Sequence, residues 1–85
     1  MRSEEIKQLI ETHLKETTAI VQSEDDQHFR AIVISPLFAN KTRIESQQLV
    51  YGSLNPFLQT GAIHAISIKT FLPEQWAHQQ SEYNG

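Results

Sequence analysis

The spacing of apolar residues predicts a helix near the start of the chain. Four apolar residues recur at the i, i+3, i+4 and i+8 spacing of one buried helical stripe: Ile6, Leu9, Ile10 and Leu14. Ser3 is a suitable N-cap, and Glu4 and Glu5 place negative charge in the first turn, where the helix dipole favours it. We therefore predict a first helix from about residue 4 to residue 15.

Two segments rich in β-branched and apolar residues follow, at 17–22 and 28–35. The acidic stretch 24–27 separates them and has the composition of a polar turn. Pro36 ends the second segment, because proline cannot donate to a strand ladder. These features predict an antiparallel hairpin.

A second helix is predicted to begin at Thr42, where Glu45 completes the spacing of a capping box. Its apolar stripe contains Ile44, Tyr51, Leu54 and Leu58. Gly52 and Pro56 interrupt this pattern, so we expect either a kink or two successive helices. Gly61 is suited to the left-handed conformation that ends a helix.

The segment 62–70 alternates in polarity and predicts a third strand, with His64, Ile66 and Ile68 on one face. The other face would hold Ile63, Ala65, Ser67 and Lys69. Pro73 then begins a short final helix that carries Trp76.

The predicted order of elements is α-β-β-α-β-α, in which the second helix connects strands two and three. Such crossovers are right-handed and join parallel strands, whereas the hairpin strands are antiparallel. We therefore predict an α+β fold: a two-layer sandwich of a three-stranded mixed sheet with its helices on one face. The other face of the sheet would be left to water or to a partner.

Composition favours a small binding module over an enzyme. The 85 residues predict a single domain spanning residues 1–85, with a formal charge of −3. The chain has no Cys, which excludes disulfides and any metal site built from its own thiolates. It has no phosphate-binding loop or nucleophile motif, and no apolar run long enough for a membrane helix. We expect a cytoplasmic protein without catalytic activity.

Two of the four histidines lie where they could share a site. His13 and His78 fall among polar residues of the outer helices and are expected to be solvated. His28 and His64 fall near the starts of two parallel strands, which meet at one edge of the domain. Residue spacing alone still favours His64 as a half-buried core residue. Moreover, two imidazoles cannot complete a four-coordinate metal site without further ligands.

A nucleic-acid surface would have to use Lys41, Arg43 and Lys69, which lie in the only mildly positive part of the chain. The net negative charge opposes phosphate binding driven by counterion release, so ordinary solvated charges are the better interpretation. Three aromatic residues are best explained as core residues: Phe38, Tyr51 and Trp76.

Several motifs together resemble the BolA family. They are LVYGSL at 49–54, IHAISIKT at 63–70 and PEQW at 73–76. Two further segments, RIESQQ at 43–48 and the short loop ending at His28, are most similar to the bacterial IbaG (YrbA) branch of this family. The resemblance covers about residues 3–80. It implies a fold like the class II KH domain, in agreement with the order of elements above.

The resemblance also implies a function. BolA-like proteins pair with monothiol glutaredoxins and share a [2Fe-2S] cluster, in iron-sulfur trafficking or iron homeostasis, and some are linked to acid stress. The family's ligand positions fall on His64 and His28, while a glutaredoxin thiolate and glutathione would supply the remaining ligands. No cofactor is expected in the chain alone. A homodimer is left open, and the alternative function is a nucleic-acid-binding transcriptional regulator using a KH-like or helix-turn-helix surface.

Overall fold

A computed structural model describes residues 1–84, with the side chains of residues 1–79. It contains three α-helices, three strands and one 3₁₀ turn. In chain order these are α1 (Ser3–His13), β1 (Thr18–Gln22), β2 (His28–Ile34), the 3₁₀ turn (Pro36–Phe38), α2 (Arg43–Thr60), β3 (Ala65–Phe71) and α3 (Pro73–Asn84). This is the predicted α-β-β-α-β-α order. No helix within residues 1–84 is both long and apolar enough to cross a membrane.

The sheet has the order β1-β2-β3 and the predicted mixture of directions. Strands β1 and β2 pair antiparallel, with Thr18 opposite Ile34. Strands β2 and β3 pair parallel, from His28 opposite Ala65 to Ile34 opposite Phe71. The α+β mixed-sheet fold is therefore confirmed.

Helix α1 begins one residue earlier than predicted, so the N-cap is Arg2 and not Ser3. The Glu5 carboxylate accepts the backbone N–H of Arg2 at 2.8 Å, which satisfies a donor that the start of a helix leaves unpaired. The helix ends at His13 rather than at residue 15, because Leu14 already has extended backbone angles. The predicted apolar stripe is confirmed, since Ile6 and Ile10 are fully buried.

Helix α2 is continuous over eighteen residues, so the alternative of two successive helices is wrong. Pro56 removes the hydrogen bond that the Gly52 carbonyl would accept, but both residues are exposed and water can satisfy that carbonyl. The capping box at its start is confirmed by two bonds, Glu45 N–H to Thr42 Oγ1 at 3.1 Å and Thr42 N–H to Glu45 Oε1 at 2.9 Å. Gly61 ends the helix with φ of 81°.

Strand β3 begins at Ala65, three residues later than predicted. Ile63 is buried in the core, and its N–H donates to the Phe57 carbonyl at 3.0 Å. Residues 61–63 are thus held by the end of α2 and not by the sheet. The predicted face containing Ile63 and Ala65 is consequently wrong, and His64 precedes the strand rather than lying on its core face.

The core lies between one face of the sheet and helices α1 and α2. It is built from α1 residues Ile6 and Ile10, the sheet residues Ala19, Phe29, Ala31, Val33 and Ile68, the α2 residues Val50 and Leu54, and the connecting residues Leu14, Phe38 and Ile63. Phe38 is a core aromatic, as predicted, whereas Tyr51 and Trp76 are only partly buried. Trp76 of α3 packs on Phe71 and lines a groove with Ile20 and Ile32 on the other face of the sheet.

Candidate functional site

The rings of His28 and His64 lie side by side at one end of the sheet. Their centroids are 6.2 Å apart, and the ring planes are nearly perpendicular at 79°. Both residues are exposed, so the interpretation of His64 as a half-buried core residue is wrong. The structure therefore brings together the two histidines that the sequence resemblance singled out.

The parallel pairing of β2 and β3 explains why these two rings meet. His28 is the first residue of β2 and lies opposite Ala65, the first residue of β3. The Ala65 N–H donates to the Gln27 carbonyl at 3.1 Å, which ties the residue before β2 to the residue after His64. The register of two strands that are distant in sequence thus sets the spacing of the two imidazoles.

Asp25 holds His28 through both its ring and its backbone. The Asp25 Oδ2 atom lies 2.9 Å from His28 Nδ1. Its Oδ1 atom accepts the backbone N–H groups of His28 at 2.9 Å and Gln27 at 3.0 Å. The backbone N–H of His28 is the largest cause of a strongly lowered pKa at Asp25, followed by the His28 ring and the Gln27 N–H. The carboxylate form is therefore favoured.

Sequence reasoning treated Asp25 only as part of a polar turn. The signal that would have found it is its position three residues before His28, since an Asp side chain often bonds backbone N–H groups two and three residues on. The turn is further held by Ser23, whose hydroxyl donates to the His28 carbonyl at 2.7 Å. Asp26 has φ of 58°, a left-handed conformation that Asp tolerates better than most residues.

The surface around His28 is an open pocket of about 390 Å³. It is lined by residues of the hairpin turn and of the first halves of β2 and β3, among them Asp25, Phe29, Arg30, Ile66 and Ser67. A partner molecule therefore has direct access to the His28 ring.

Two imidazoles can share a metal only if their ring centres are close together. Metal–imidazole bonds of about 2.0–2.1 Å put a metal about 3.2 Å from each ring centre, so the ring centres around a tetrahedral metal lie about 5.2 Å apart. The observed separation of 6.2 Å is longer, so the two rings would have to turn toward a metal to bind it at tetrahedral angles. Within the described residues no group of three or more His, Cys, Asp or Glu is placed to hold a metal. A metal held by this pair would therefore need outside ligands.

The remaining sequence candidates lie elsewhere. His13 and His78 are exposed on α1 and α3, as predicted. Lys41, Arg43 and Lys69 are also exposed. Arg43 lines one surface pocket with Lys41 and another with Lys69, so the three cations gather where α2 begins and β3 ends. The histidine pair lies at the opposite end of β3.

Comparison with known proteins agrees with the fold. The BolA family of BolA-like proteins matches residues 3–75, so this chain belongs to the BolA-like protein family. Over 58 residues it is 40% identical to the acid stress protein IbaG of Escherichia coli K12, covering 68% of this chain and 69% of that protein.

Two other relatives extend the comparison. The structure of a BolA homologue from Coxiella burnetii superposes with a TM-score of 0.81 and 38% identity, covering 91% of this chain and 97% of that one. The DNA-binding transcriptional regulator BolA of Haemophilus influenzae is 33% identical over 54 residues, covering 64% of this chain and 52% of that protein.

Proposed function

We propose that this chain is a non-enzymatic adaptor that binds a monothiol glutaredoxin and shares a [2Fe-2S] cluster with it through His28 and His64. The observation that carries the proposal is the exposed pair of imidazoles, 6.2 Å apart between ring centroids. The role of the complex would be iron-sulfur trafficking or iron homeostasis in the cytoplasm. Similarity to IbaG supports a connection with acid stress.

The donor set matches the chemistry of such a cluster. A [2Fe-2S] cluster takes four ligands from its surroundings, and in Rieske centres two histidines replace two cysteines on one iron. This chain offers two imidazoles and no Cys. A glutaredoxin thiolate and the thiol of glutathione bring the count to four. Because the sulfur ligands come from outside, the chain alone would hold no cluster.

The position of the pair suits a shared site. Both histidines are exposed at the edge where β2 and β3 begin, and the open pocket beside His28 leaves room for a partner. An imidazole ligand buried in the core would need the domain to open before a second protein could reach the metal. Here each ring can be approached without disturbing the core.

The proposal is tested by anaerobic reconstitution. The chain, a monothiol glutaredoxin, glutathione, iron and sulfide are mixed, and the complex is isolated by gel filtration and examined by visible absorption and electron paramagnetic resonance. We expect a one-to-one heterocomplex whose spectrum differs from that of the glutaredoxin alone. His64→Ala should remove this difference, and His28→Ala should make the cluster more labile, whereas His28→Cys should retain it.

The matched control is His13→Ala, which removes an exposed imidazole on α1, away from the histidine pair. It should leave the heterocomplex spectrum unchanged. Circular dichroism of each variant should match the wild type, because both candidate ligands are exposed. A heterocomplex spectrum that is identical in wild type, His28→Ala and His64→Ala would refute the ligand assignment.

A second candidate function is nucleic-acid binding by the cationic group Lys41, Arg43 and Lys69. Its support is the clustering of these residues at the start of α2, together with the name of the Haemophilus relative. Three cations on a chain of net charge −3 allow few phosphate contacts, so we rank this function second.

A further inference from the structure

We propose that Asp25 is a positioning residue for the candidate site, which holds His28 in the tautomer that presents Nε2 to a metal. This inference rests on the proposed function, since it assigns the ligating atom of one proposed ligand. Histidines that bind metals commonly donate their other ring N–H to a carboxylate, which fixes the tautomer and the orientation of the ring.

The hydrogen bond between Asp25 and the His28 ring fixes the position of one proton. An ionised carboxylate only accepts hydrogen bonds, so the bond of 2.9 Å between Oδ2 and Nδ1 requires the proton on Nδ1. In a neutral imidazole the other nitrogen, Nε2, then carries the free lone pair. That nitrogen is the one available to coordinate a metal.

The carboxylate itself is fixed by the turn. Its other oxygen accepts two backbone N–H groups, those of Gln27 and His28, so the carboxylate cannot rotate without losing both bonds. The orientation of the His28 ring is therefore tied to the backbone of the hairpin and not only to its own rotamer. This anchoring matters because His28 is an exposed side chain that would otherwise sample several rotamers.

The two proposed ligands differ in this respect. Among the described side chains, the His28 ring pairs with a carboxylate, that of Asp25, whereas the ring contact given for His64 is its edge-to-face contact with His28. A change at Asp25 should therefore act on His28 and leave the tautomer of His64 as it is.

Asp25→Asn provides a sharp test because it keeps the size of the side chain. The two backbone N–H groups still need an acceptor, so the amide oxygen should take the place of Oδ1. The amide NH₂ then faces His28 Nδ1 and can only donate to it. This reverses the imidazole to the Nε2–H tautomer and blocks the lone pair that would bind the metal.

The tautomer of His28 is measured in the protein without its partner or a cluster. The method is long-range ¹⁵N–¹H NMR of the imidazoles at about pH 8, which is above the ordinary pKa of histidine. We expect the Nδ1–H form at His28 in the wild type and the Nε2–H form in Asp25→Asn. Asp26→Asn removes an equal charge from the neighbouring exposed residue and should resemble the wild type. His13 serves as an internal reference in every spectrum.

The effect of Asp25 on cluster binding is measured as the rate at which the glutaredoxin complex loses its cluster. Loss of such a carboxylate typically weakens metal binding about 10- to 100-fold, so Asp25→Asn should lose the cluster at least about tenfold faster than Asp26→Asn. An unchanged His28 tautomer, or equal cluster lifetimes in the two variants, would overturn the role of Asp25. Failure of the wild-type complex to form a cluster would instead refute the proposed function, while the NMR result would still decide whether Asp25 sets the tautomer.

Discussion

The side chain of Glu11 on α1 bonds the backbone of Ala19 on β1, with the carboxylate accepting the Ala19 N–H at 2.9 Å. Lys7, one turn earlier on the helix, donates to the Ala19 carbonyl at 2.9 Å and also pairs with Glu11. Two helix side chains thus satisfy both backbone groups of Ala19 at the edge of the sheet, where another strand would otherwise pair.

The opposite edge of the sheet is covered in a similar way. Gln47 of α2 donates its side-chain N–H to the Ile68 carbonyl at 3.1 Å, and the Tyr51 hydroxyl donates to the Ile66 carbonyl at 3.4 Å. The helices therefore do more than bury the apolar face of the sheet. They also occupy backbone groups that an exposed edge strand would offer to other chains.

Glu11→Ala should lower the free energy of unfolding by about 1–3 kcal/mol, because the Ala19 N–H loses a charged acceptor at a partly buried edge. The measurement is urea unfolding followed by circular dichroism. Gln8→Ala is the matched control, since Gln8 is exposed on the same helix and should change stability little. Equal unfolding midpoints for the two variants would contradict the role of Glu11.

The stability of the protein should fall in acid, and Glu11 should contribute to this fall. The hydrogen bond from Lys7 is the largest cause of a lowered pKa at Glu11, followed by the Ala19 N–H. A group whose pKa is lower in the folded state stabilises the fold above its unfolded pKa, here about 4.5. That stabilisation is lost as pH falls through the folded pKa.

Glu11→Gln removes this titration, so its unfolding free energy should decrease less than that of the wild type between pH 6 and pH 3, as measured by urea unfolding at both pH values. Asp25 and Glu45 have lowered pKa values as well and should keep part of the pH dependence in the variant. A decrease in the variant as large as in the wild type would contradict the assignment.

Substitution by alanine should have opposite effects on stability at Gly52, within α2, and at Gly61, directly after it. Gly61 ends the helix with φ of 81°, so Gly61→Ala should cost about 1 kcal/mol because alanine is strained in that conformation. Gly52 lies within the helix and an added Cβ would meet nothing within 4 Å, so Gly52→Ala should stabilise by about 0.5–1 kcal/mol. Thermal unfolding of both variants checks the signs, and a shift of the same sign in both would refute the argument.

Duplex DNA should bind weakly. Three phosphate contacts from Lys41, Arg43 and Lys69 would give a slope of about −3 for log K against log salt, with affinity no tighter than about micromolar near physiological salt. Fluorescence anisotropy with labelled duplexes of different sequence is the measurement. Sequence-selective nanomolar binding that is lost in the double variant Lys41→Ala/Arg43→Ala would favour the regulator over the adaptor.

Local signals in the sequence determined most of the secondary structure of this protein. The stripe of Ile6 and Ile10, the capping box of Thr42 and Glu45, and the left-handed Gly61 all act through residues a few positions apart. Their interactions are therefore complete within a single element and can be recognised without the rest of the fold. The continuity of α2 past Pro56 was missed because it depends on which side of the helix faces water.

Only the tertiary structure decided where β3 begins and which side chains meet at the candidate site. Ile63 leaves the alternating pattern because the end of α2 binds its backbone and the core buries its side chain. The ring centres of His28 and His64 lie 6.2 Å apart because β2 and β3 pair in one particular register. A period-two pattern fixes which face each residue takes, but it leaves open a slip of two residues between strands that are distant in sequence. The sequence could name both histidines through its resemblance to a family, but only the pairing of β2 with β3 places their rings together and leaves Asp25 beside one of them.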